Sequence, residues 1–105
     1  MNNATKNPTT LQEHAQIAAD FLKTIGNATR LQILCLLAER GEMCVMHLHE
    51  HLDLPLSQSA LSQHLSKMRT EGILSSRQDA QKMYYQICDD KTLKLIHTLK
   101  EIFCP

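Results

Sequence analysis

The sequence predicts a single, mainly α-helical domain that carries one small β-hairpin. A chain of 105 residues is long enough for one hydrophobic core, and its 43% share of apolar residues is ordinary for a globular protein. Apolar residues recur at helical spacing in most of the chain, whereas ILSSR (73–77) and KMYYQI (82–87) are rich in residues that favour strands. These observations predict four helices, then a hairpin with QDAQ at its tip, then a last helix.

The first two helices are predicted to follow a flexible leader, residues 1–9, so that the folded domain covers residues 10–105. Apolar residues repeat at helical spacing from Leu11 to the glycine that precedes Asn27, which predicts the first helix. Asn27 is a good N-cap for a second helix that stops at Gly41. This second helix is apolar almost all round, which predicts that it lies at the centre of the domain.

A helix-turn-helix is predicted for the middle of the chain. A third helix covers about Val45 to Leu52, DLPL forms a turn, and Ser57 caps a fourth helix that extends to Gly72. Leucines form the inner face of this pair, while hydroxyl and amide side chains crowd the outer face of the fourth helix. A glutamine can form two hydrogen bonds with an adenine edge, and a serine can reach a phosphate or a base. The predicted contacts with double-stranded DNA are therefore Ser57, Gln58, Ser59, Ser62, Gln63 and His64.

Positive charge is concentrated in the same part of the chain, although the formal net charge is zero. We expect Lys67 on the fourth helix, and Arg77 and Lys82 on the hairpin, to bind backbone phosphates. A hairpin beside a recognition helix can straddle the sugar–phosphate backbone and orient the protein on the duplex. The alternative for these residues is ordinary solvated surface. A helix-turn-helix followed by such a hairpin predicts a winged helix.

The cysteines lie at positions 35, 44, 88 and 104 and contain no C-x-x-C pair. Their spacing lacks the pattern of a zinc site, and in a reducing compartment such cysteines serve packing, metal binding or redox chemistry. Cys35 lies within LQILCLL on the second helix, where the surrounding leucines should raise its pKa. Cys104 ends the last helix, which Asp89 or Asp90 is expected to cap.

Four stretches of the chain resemble one known family. ATRLQILCLL, SQSALSQHLSKMRTEG, RQDAQKMYYQI and the terminal IFCP are similar to the ArsR/SmtB transcriptional repressors, in particular to the branch that senses oxidants or persulfides through two cysteines. The resemblance implies a homodimer, joined through its first and last helices, that binds a pseudo-palindromic operator. It further implies that an oxidant or a reactive sulfur species releases the operator by joining Cys35 to Cys104.

Two other functions remain open at this point. Cys44, His47 and His51 fall at helical spacings and could face one metal ion, and metal-sensing relatives in the family carry a C-x-C motif whose first cysteine aligns with Cys44. Exposed helix histidines are the simpler interpretation of the same residues. Some members of the branch instead activate transcription by displacing another DNA-binding protein, and the sequence is compatible with either activity.

Other classes of protein are not expected. HLHEH is not the H-E-x-x-H motif, and a chain with three glycines offers no phosphate-binding loop or nucleophile elbow, so we predict neither an enzyme nor a cofactor. No apolar stretch approaches the roughly 18 residues of a membrane span, and the N-terminus lacks the blocks of a signal peptide. We therefore expect a cytoplasmic protein without a membrane partner.

Overall fold

The chain folds as a winged helix, and the computed structural model describes its residues 10–104. The helices are α1 (Leu11–Ile25), α2 (Ala28–Arg40), α3 (Val45–His51), α4 (Gln58–Thr70) and α5 (Asp90–Phe103), and the strands are β1 (Met43–Cys44), β2 (Leu74–Asp79) and β3 (Lys82–Ile87). The expected order of four helices, a hairpin and a last helix is confirmed. The leader predicted for residues 1–9 lies outside the described residues, as does Pro105. Within residues 10–104, no helix has the length and apolar composition needed to cross a membrane.

Capping side chains start three of the helices at the positions that the sequence predicts. Asn27, Ser57 and Asp89 each accept a hydrogen bond from the backbone N–H three residues further on, at 2.9, 3.0 and 3.1 Å. Such bonds satisfy amides that have no partner inside the helix, and each typically stabilises a helix by about 1 kcal/mol. Gly41 follows the end of α2 with a φ of 80°, a conformation that favours glycine.

The sheet contains one strand more than the predicted hairpin. All pairs are antiparallel, and the strand order is β1-β3-β2. The sequence does not predict β1, because a strand of two residues has no visible alternation and only its pairing with β3 defines it. The hairpin tip is also shorter than QDAQ. Asp79 pairs with Lys82, so the turn consists of Ala80, which has a φ of 59°, and Gln81.

The second helix lies at the centre of the hydrophobic core, as its composition predicts. Ile33, Leu34 and Leu37 are buried, and α2 packs against α5 and β3. Burial around α2 is uneven, however, since Cys35 and Leu36 are only half-buried against the core. The core is completed by Ile25, Met43, Leu48, Leu61, Leu65, Met68, Ile73, Leu74, Tyr85 and Ile96. Cys35 therefore lies at the edge of the core and not inside it.

Much of α1 stands apart from this core. Ile25 is the one buried residue of α1, and Leu11, Ile17 and Leu22 are 84%, 52% and 53% exposed. At the end of α5, Ile102 and Phe103 are 63% and 73% exposed. A single copy of the chain thus leaves apolar side chains uncovered on its first and last helices.

Candidate DNA interface and thiol cleft

The recognition residues predicted for α4 lie away from its buried face. Leu61, Leu65 and Met68 are fully buried, which fixes the orientation of the helix against the core. Ser57 also caps α4, so its hydroxyl oxygen accepts from the Ala60 amide while its O–H is the group left for another partner. The residues predicted to contact DNA are exposed or half-buried, and those at or within α4 are Ser57, Gln58, Ser59, Ser62, Gln63, His64 and Lys67.

The wing cleft, which has a volume of about 210 Å³, lies between α4 and the hairpin. Gln58 and Ser62 of α4 line it together with Lys82 at the start of β3. The buried Cys44 also contributes to its lining. The fold therefore brings a predicted phosphate contact on the wing beside two predicted contacts on the recognition helix.

The α2–α4 cleft is a second opening, of about 320 Å³, between the start of α2 and the polar side of α4. It is lined by Asn27, Arg30, Ala60, Gln63, His64 and Lys67. Three of these are predicted DNA contacts, whereas Asn27 and Arg30 belong to the helix that precedes the helix-turn-helix. Sequence reasoning assigned Asn27 only a capping role and missed Arg30. An arginine in the first turn of an otherwise apolar helix is the signal that could have identified it.

Arg77 does not present a free guanidinium on the wing. Its Nε and Nη2 donate hydrogen bonds of 2.8 and 2.7 Å to the two carboxylate oxygens of Glu42, and its guanidinium carbon lies 4.6 Å from the centre of the Tyr84 ring. These hydrogen bonds lower the pKa of the Glu42 carboxyl and raise the pKa of Arg77. This corrects the expectation that Arg77 is free to bind a phosphate, because its Nε and Nη2 already donate hydrogen bonds to Glu42. Sequence reasoning did not single out Glu42, because nothing local indicates a contact between residues so far apart in the chain.

The thiol cleft, of about 350 Å³, contains both cysteines that the family resemblance singles out. Cys35 is half-buried on α2, and Cys104 is the exposed residue that follows α5. The packing of α5 against α2 brings these two positions together. The rest of the lining consists of Leu31, Gln32, Leu36, Glu39, His51, Leu52 and Lys100. All four cysteines of the chain are free thiols in this structure.

Burial raises the pKa of the Cys35 thiol, as the surrounding leucines predict. The charge of Lys100 acts in the opposite direction by favouring the thiolate, while Cys104 and Glu39 raise the pKa further. The influence of Cys104 means that the two thiols lie within range of each other's charge. Cys35 is therefore largely protonated at neutral pH, and Lys100 is the cation that can stabilise its thiolate.

Cys44, His47 and His51 do not form a common metal site. Cys44 is 2% exposed and lines the wing cleft, whereas His51 lines the thiol cleft. Nδ1 of His51 donates to the carbonyl of His47 at 2.8 Å, and its Nε2 accepts from Arg40 at 3.3 Å, so both ring nitrogens have partners. The prediction from helical spacing assumed that Cys44 and both histidines lie on one helix, but Cys44 precedes α3. Across residues 10–104, no three His, Cys, Asp or Glu side chains are grouped so that they could hold a metal ion.

The region that contains α2, the helix-turn-helix and the start of β2 matches a known family. Residues 27–76 fit the model described as "Bacterial regulatory protein, arsR family". The HTH-type transcriptional regulator YgaV of Escherichia coli K12 is 40% identical over 90% of this chain and 94% of its own length. The chain belongs to the ArsR family. This ArsR-family chain is a DNA-binding transcriptional regulator and not an enzyme, as the sequence predicts.

Two further comparisons concern the roles and the fold of ArsR-family proteins. The Vibrio cholerae protein named transcriptional activator HlyU is 35% identical over 99% of this chain and 94% of its own length. The crystal structure of the transcriptional repressor BigR from Xylella fastidiosa has a TM-score of 0.79 and 32% sequence identity, and the match covers 90% of this chain and 94% of that one. The winged-helix fold of this ArsR-family chain is thus shared with a solved regulator, and its relatives include both an activator and a repressor.

Proposed function

We propose that this chain is a homodimeric repressor that loses its operator when Cys35 and Cys104 are joined. The observation that carries the proposal is the thiol cleft, in which both cysteines lie beside one cation, Lys100. The signal is an oxidant or a reactive sulfur species. The protein acts in the cytoplasm, where thiols are kept reduced until such a signal arrives.

Two reactions are available for joining the thiols. With hydrogen peroxide, the two thiols give up two protons and two electrons, the O–O bond breaks, and two waters leave as the disulfide forms. With a persulfide donor, the thiolate of Cys104 attacks the outer sulfur of the donor, whose thiolate leaves, and Cys104 becomes a persulfide. The thiolate of Cys35 then attacks the inner sulfur, hydrosulfide leaves with the electron pair of the broken S–S bond, and a disulfide joins the two residues. Both routes begin at the exposed thiol, because access and thiolate character control reactivity.

Joining the two residues ties the end of α5 to the middle of α2. A disulfide requires α-carbons within about 7 Å of each other, so the bond fixes the C-terminal end of α5 against α2. The same end of α5 carries the exposed Ile102 and Phe103. A shift of the C-terminal end of α5 alters how two protomers meet, and so it alters the distance between their α4 helices. Allosteric coupling of this kind is typically worth about 1–3 kcal/mol, which corresponds to a change in affinity of about 5- to 150-fold.

The dimer forms on the apolar surface that a single chain leaves uncovered. The exposed side chains of this surface are Leu11, Ile17, Leu22, Ile102 and Phe103. Ile17 and Leu22 also line a cavity of about 550 Å³ whose lining comes from α1 and α5. Apolar surface of this kind is typical of protein–protein interfaces. A second copy related by two-fold symmetry buries it and presents two α4 helices to the half-sites of a pseudo-palindromic operator.

The proposal is tested on a duplex that the reduced protein selects from a random-sequence library. We expect treatment with a persulfide donor to lower the affinity for this duplex at least about fivefold, and mass spectrometry to find Cys35 linked to Cys104. Cys35→Ser and Cys104→Ser should abolish both effects. Cys88→Ser is the matched control, because it removes an exposed thiol outside the thiol cleft. Unchanged affinity in protein that carries the linkage would contradict the proposal.

A second candidate function is activation by displacement of another DNA-binding protein. The observation that favours it is the 35% identity with the Vibrio cholerae relative named a transcriptional activator. Repression and activation use the same DNA interface and have opposite effects on transcription of the target genes. Deleting the gene should raise target expression if the protein represses, and lower it if the protein activates.

A further inference from the structure

We propose that the α2–α4 cleft binds one phosphate of the DNA backbone, through the N-terminus of α2 and the guanidinium of Arg30. The inference rests on the DNA interface of the proposed function, and it adds two residues, Asn27 and Arg30, that lie outside the helix-turn-helix. Gln63, His64 and Lys67 line the cleft from the opposite side. The environment of Arg30 is unusual for a purely structural arginine.

The side chain of Arg30 is only 8% exposed, yet its guanidinium is partly unsatisfied. Nη1 donates to the carbonyl of Thr24 and, at 3.2 Å, to Oε1 of Glu71. Nε is buried and has no hydrogen-bond partner, the one such side-chain nitrogen or oxygen within residues 10–104. Buried donors without acceptors are rare and destabilising. A phosphate is a suitable acceptor for a guanidinium. Because Nε is fully buried, it reaches a phosphate in the cleft only if the side chain of Arg30 turns toward it.

The N-terminus of α2 lies at the same cleft. The side chain of Asn27 accepts from the amide of Arg30 at 2.9 Å, and no residue in the described part of the chain accepts from the amides of Ala28 and Thr29. Unpaired amides and the helix dipole together favour an anion at the start of a helix, and α2 is 13 residues long. The helix terminus and Arg30 thus favour the same kind of ligand.

The position of the cleft favours a phosphate from DNA. Lys67 supplies a second cation, and the one carboxylate paired with Arg30 in the described part of the chain belongs to Glu71. Gln63 and His64 are predicted DNA contacts, so a duplex that lies along α4 brings its backbone past this cleft. A phosphate bound here anchors α2 as well as α4 to the duplex. Such a contact positions the protein without reading sequence, so its effect should be the same on every duplex.

The decisive variant is Asn27→Asp in the full-length chain. Aspartate caps a helix as well as asparagine does, so α2 should persist, but the added charge repels a phosphate in the cleft. We expect weaker binding to a mixed-sequence duplex of about 30 base pairs, roughly three helical turns. The slope of log affinity against log salt should fall by about 1 for each phosphate that the variant no longer binds. Lys94→Gln makes the same change of charge at an exposed position of α5 and should leave this slope unchanged.

A second variant should act in the opposite direction. Glu71→Gln removes the carboxylate that competes for Arg30, and we expect it to strengthen duplex binding several-fold. Circular dichroism establishes that each variant is folded. Binding of Asn27→Asp at the wild-type affinity and salt slope would overturn the inference while leaving the DNA contacts of α4 in place.

Inorganic phosphate distinguishes a DNA phosphate from a free anion. We expect it to shift the NMR signals of the Ala28 and Thr29 amides in the wild type and not in Asn27→Asp. If it does so while Asn27→Asp binds the duplex normally, the cleft is a site for a free anion and the inference is wrong. A wild-type chain that binds no duplex at all would instead overturn the DNA interface on which the inference rests.

Discussion

Arg77 on the wing and Glu42, the residue before β1, form a two-pronged ion pair with N–O distances of 2.8 and 2.7 Å. The pair connects the hairpin to the segment that precedes α3. The Glu42 carboxylate occupies the same fork of Arg77 that a phosphate would use. If the wing contacts a DNA backbone as predicted, Glu42 therefore limits how far the charge of Arg77 is available to it.

Replacing Glu42 by glutamine should increase the affinity for DNA. The substitution preserves the size of the side chain but removes its charge. Nε and Nη2 of Arg77 then no longer face a carboxylate and become available to a phosphate, while Asp79 stays 3.8 Å from Nη1. We expect tighter binding and a salt dependence that is steeper by about 1 in slope, measured by fluorescence anisotropy at several salt concentrations. Glu101→Gln removes the same charge from an exposed position of α5 and serves as the control. A salt slope equal to that of the wild type would mean that Arg77 has only a structural role.

The same ion pair predicts a dependence of stability on pH. The hydrogen bonds from Arg77 hold the pKa of Glu42 below its usual range. The contribution of the pair to stability is therefore present above the usual pKa of a glutamate, and it is lost as the pH falls through the lowered pKa of the folded protein. NMR titration of the Glu42 side chain should give a lower midpoint in the wild type than in Arg77→Gln. Equal midpoints would show that the pair does not persist in solution.

Cys104 should react with alkylating reagents before Cys35 does. Cys104 is exposed, whereas Cys35 is half-buried and its pKa is raised by burial. The alkylation rate of Cys35 should therefore continue to rise above pH of about 8.5, the usual pKa of a cysteine. Lys100→Gln should raise the pKa of Cys35 further, because Lys100 favours its thiolate. Timed labelling with iodoacetamide followed by peptide mass mapping measures both rates, and faster labelling of Cys35 at neutral pH would contradict the prediction.

A carboxylate on the apolar surface of α1 should separate the protomers of the proposed dimer. Ile17 is 52% exposed in the single chain, so Ile17→Glu should leave the fold intact but place an unpaired charge in the interface. We expect a monomer in sedimentation experiments, an unchanged circular dichroism spectrum and a loss of operator binding. Leu34→Ala is the contrasting variant, because Leu34 is fully buried and its truncation should cost about 2–5 kcal/mol in urea unfolding. A dimeric Ile17→Glu protein would place the interface elsewhere.

Most of the fold could be predicted from local sequence signals. Asn27, Ser57 and Asp89 start helices because each side chain caps its own first turn, and this interaction involves only neighbouring residues. The strand β1 could not be found in the same way, because its two residues form a strand only by pairing with β3. The part of the fold that the sequence misses is therefore the part that depends on distant residues.

The candidate sites also differ in whether they depend on neighbouring residues or on residues far apart in the chain. The polar face of α4 follows from the pattern of residues in that helix alone. The shared cleft of Cys35 and Cys104 depends on the packing of α5 against α2, so it could be expected only from the family resemblance. Glu71 and Glu42, which pair with Arg30 and Arg77, lie far away from them in the chain, and no local pattern identifies these two pairs.

In the proposed dimer, assembly is a part of folding, because α1 of the single chain leaves apolar side chains in water. Leu11, Ile17 and Leu22 would gain burial from the partner protomer, so the free energy that holds each protomer together would include a contribution governed by mass action. At low protein concentration that contribution would be lost, and dilution alone would lower the fraction of folded protein. On this proposal, the concentration of the regulator in a cell sets its activity alongside any chemical signal.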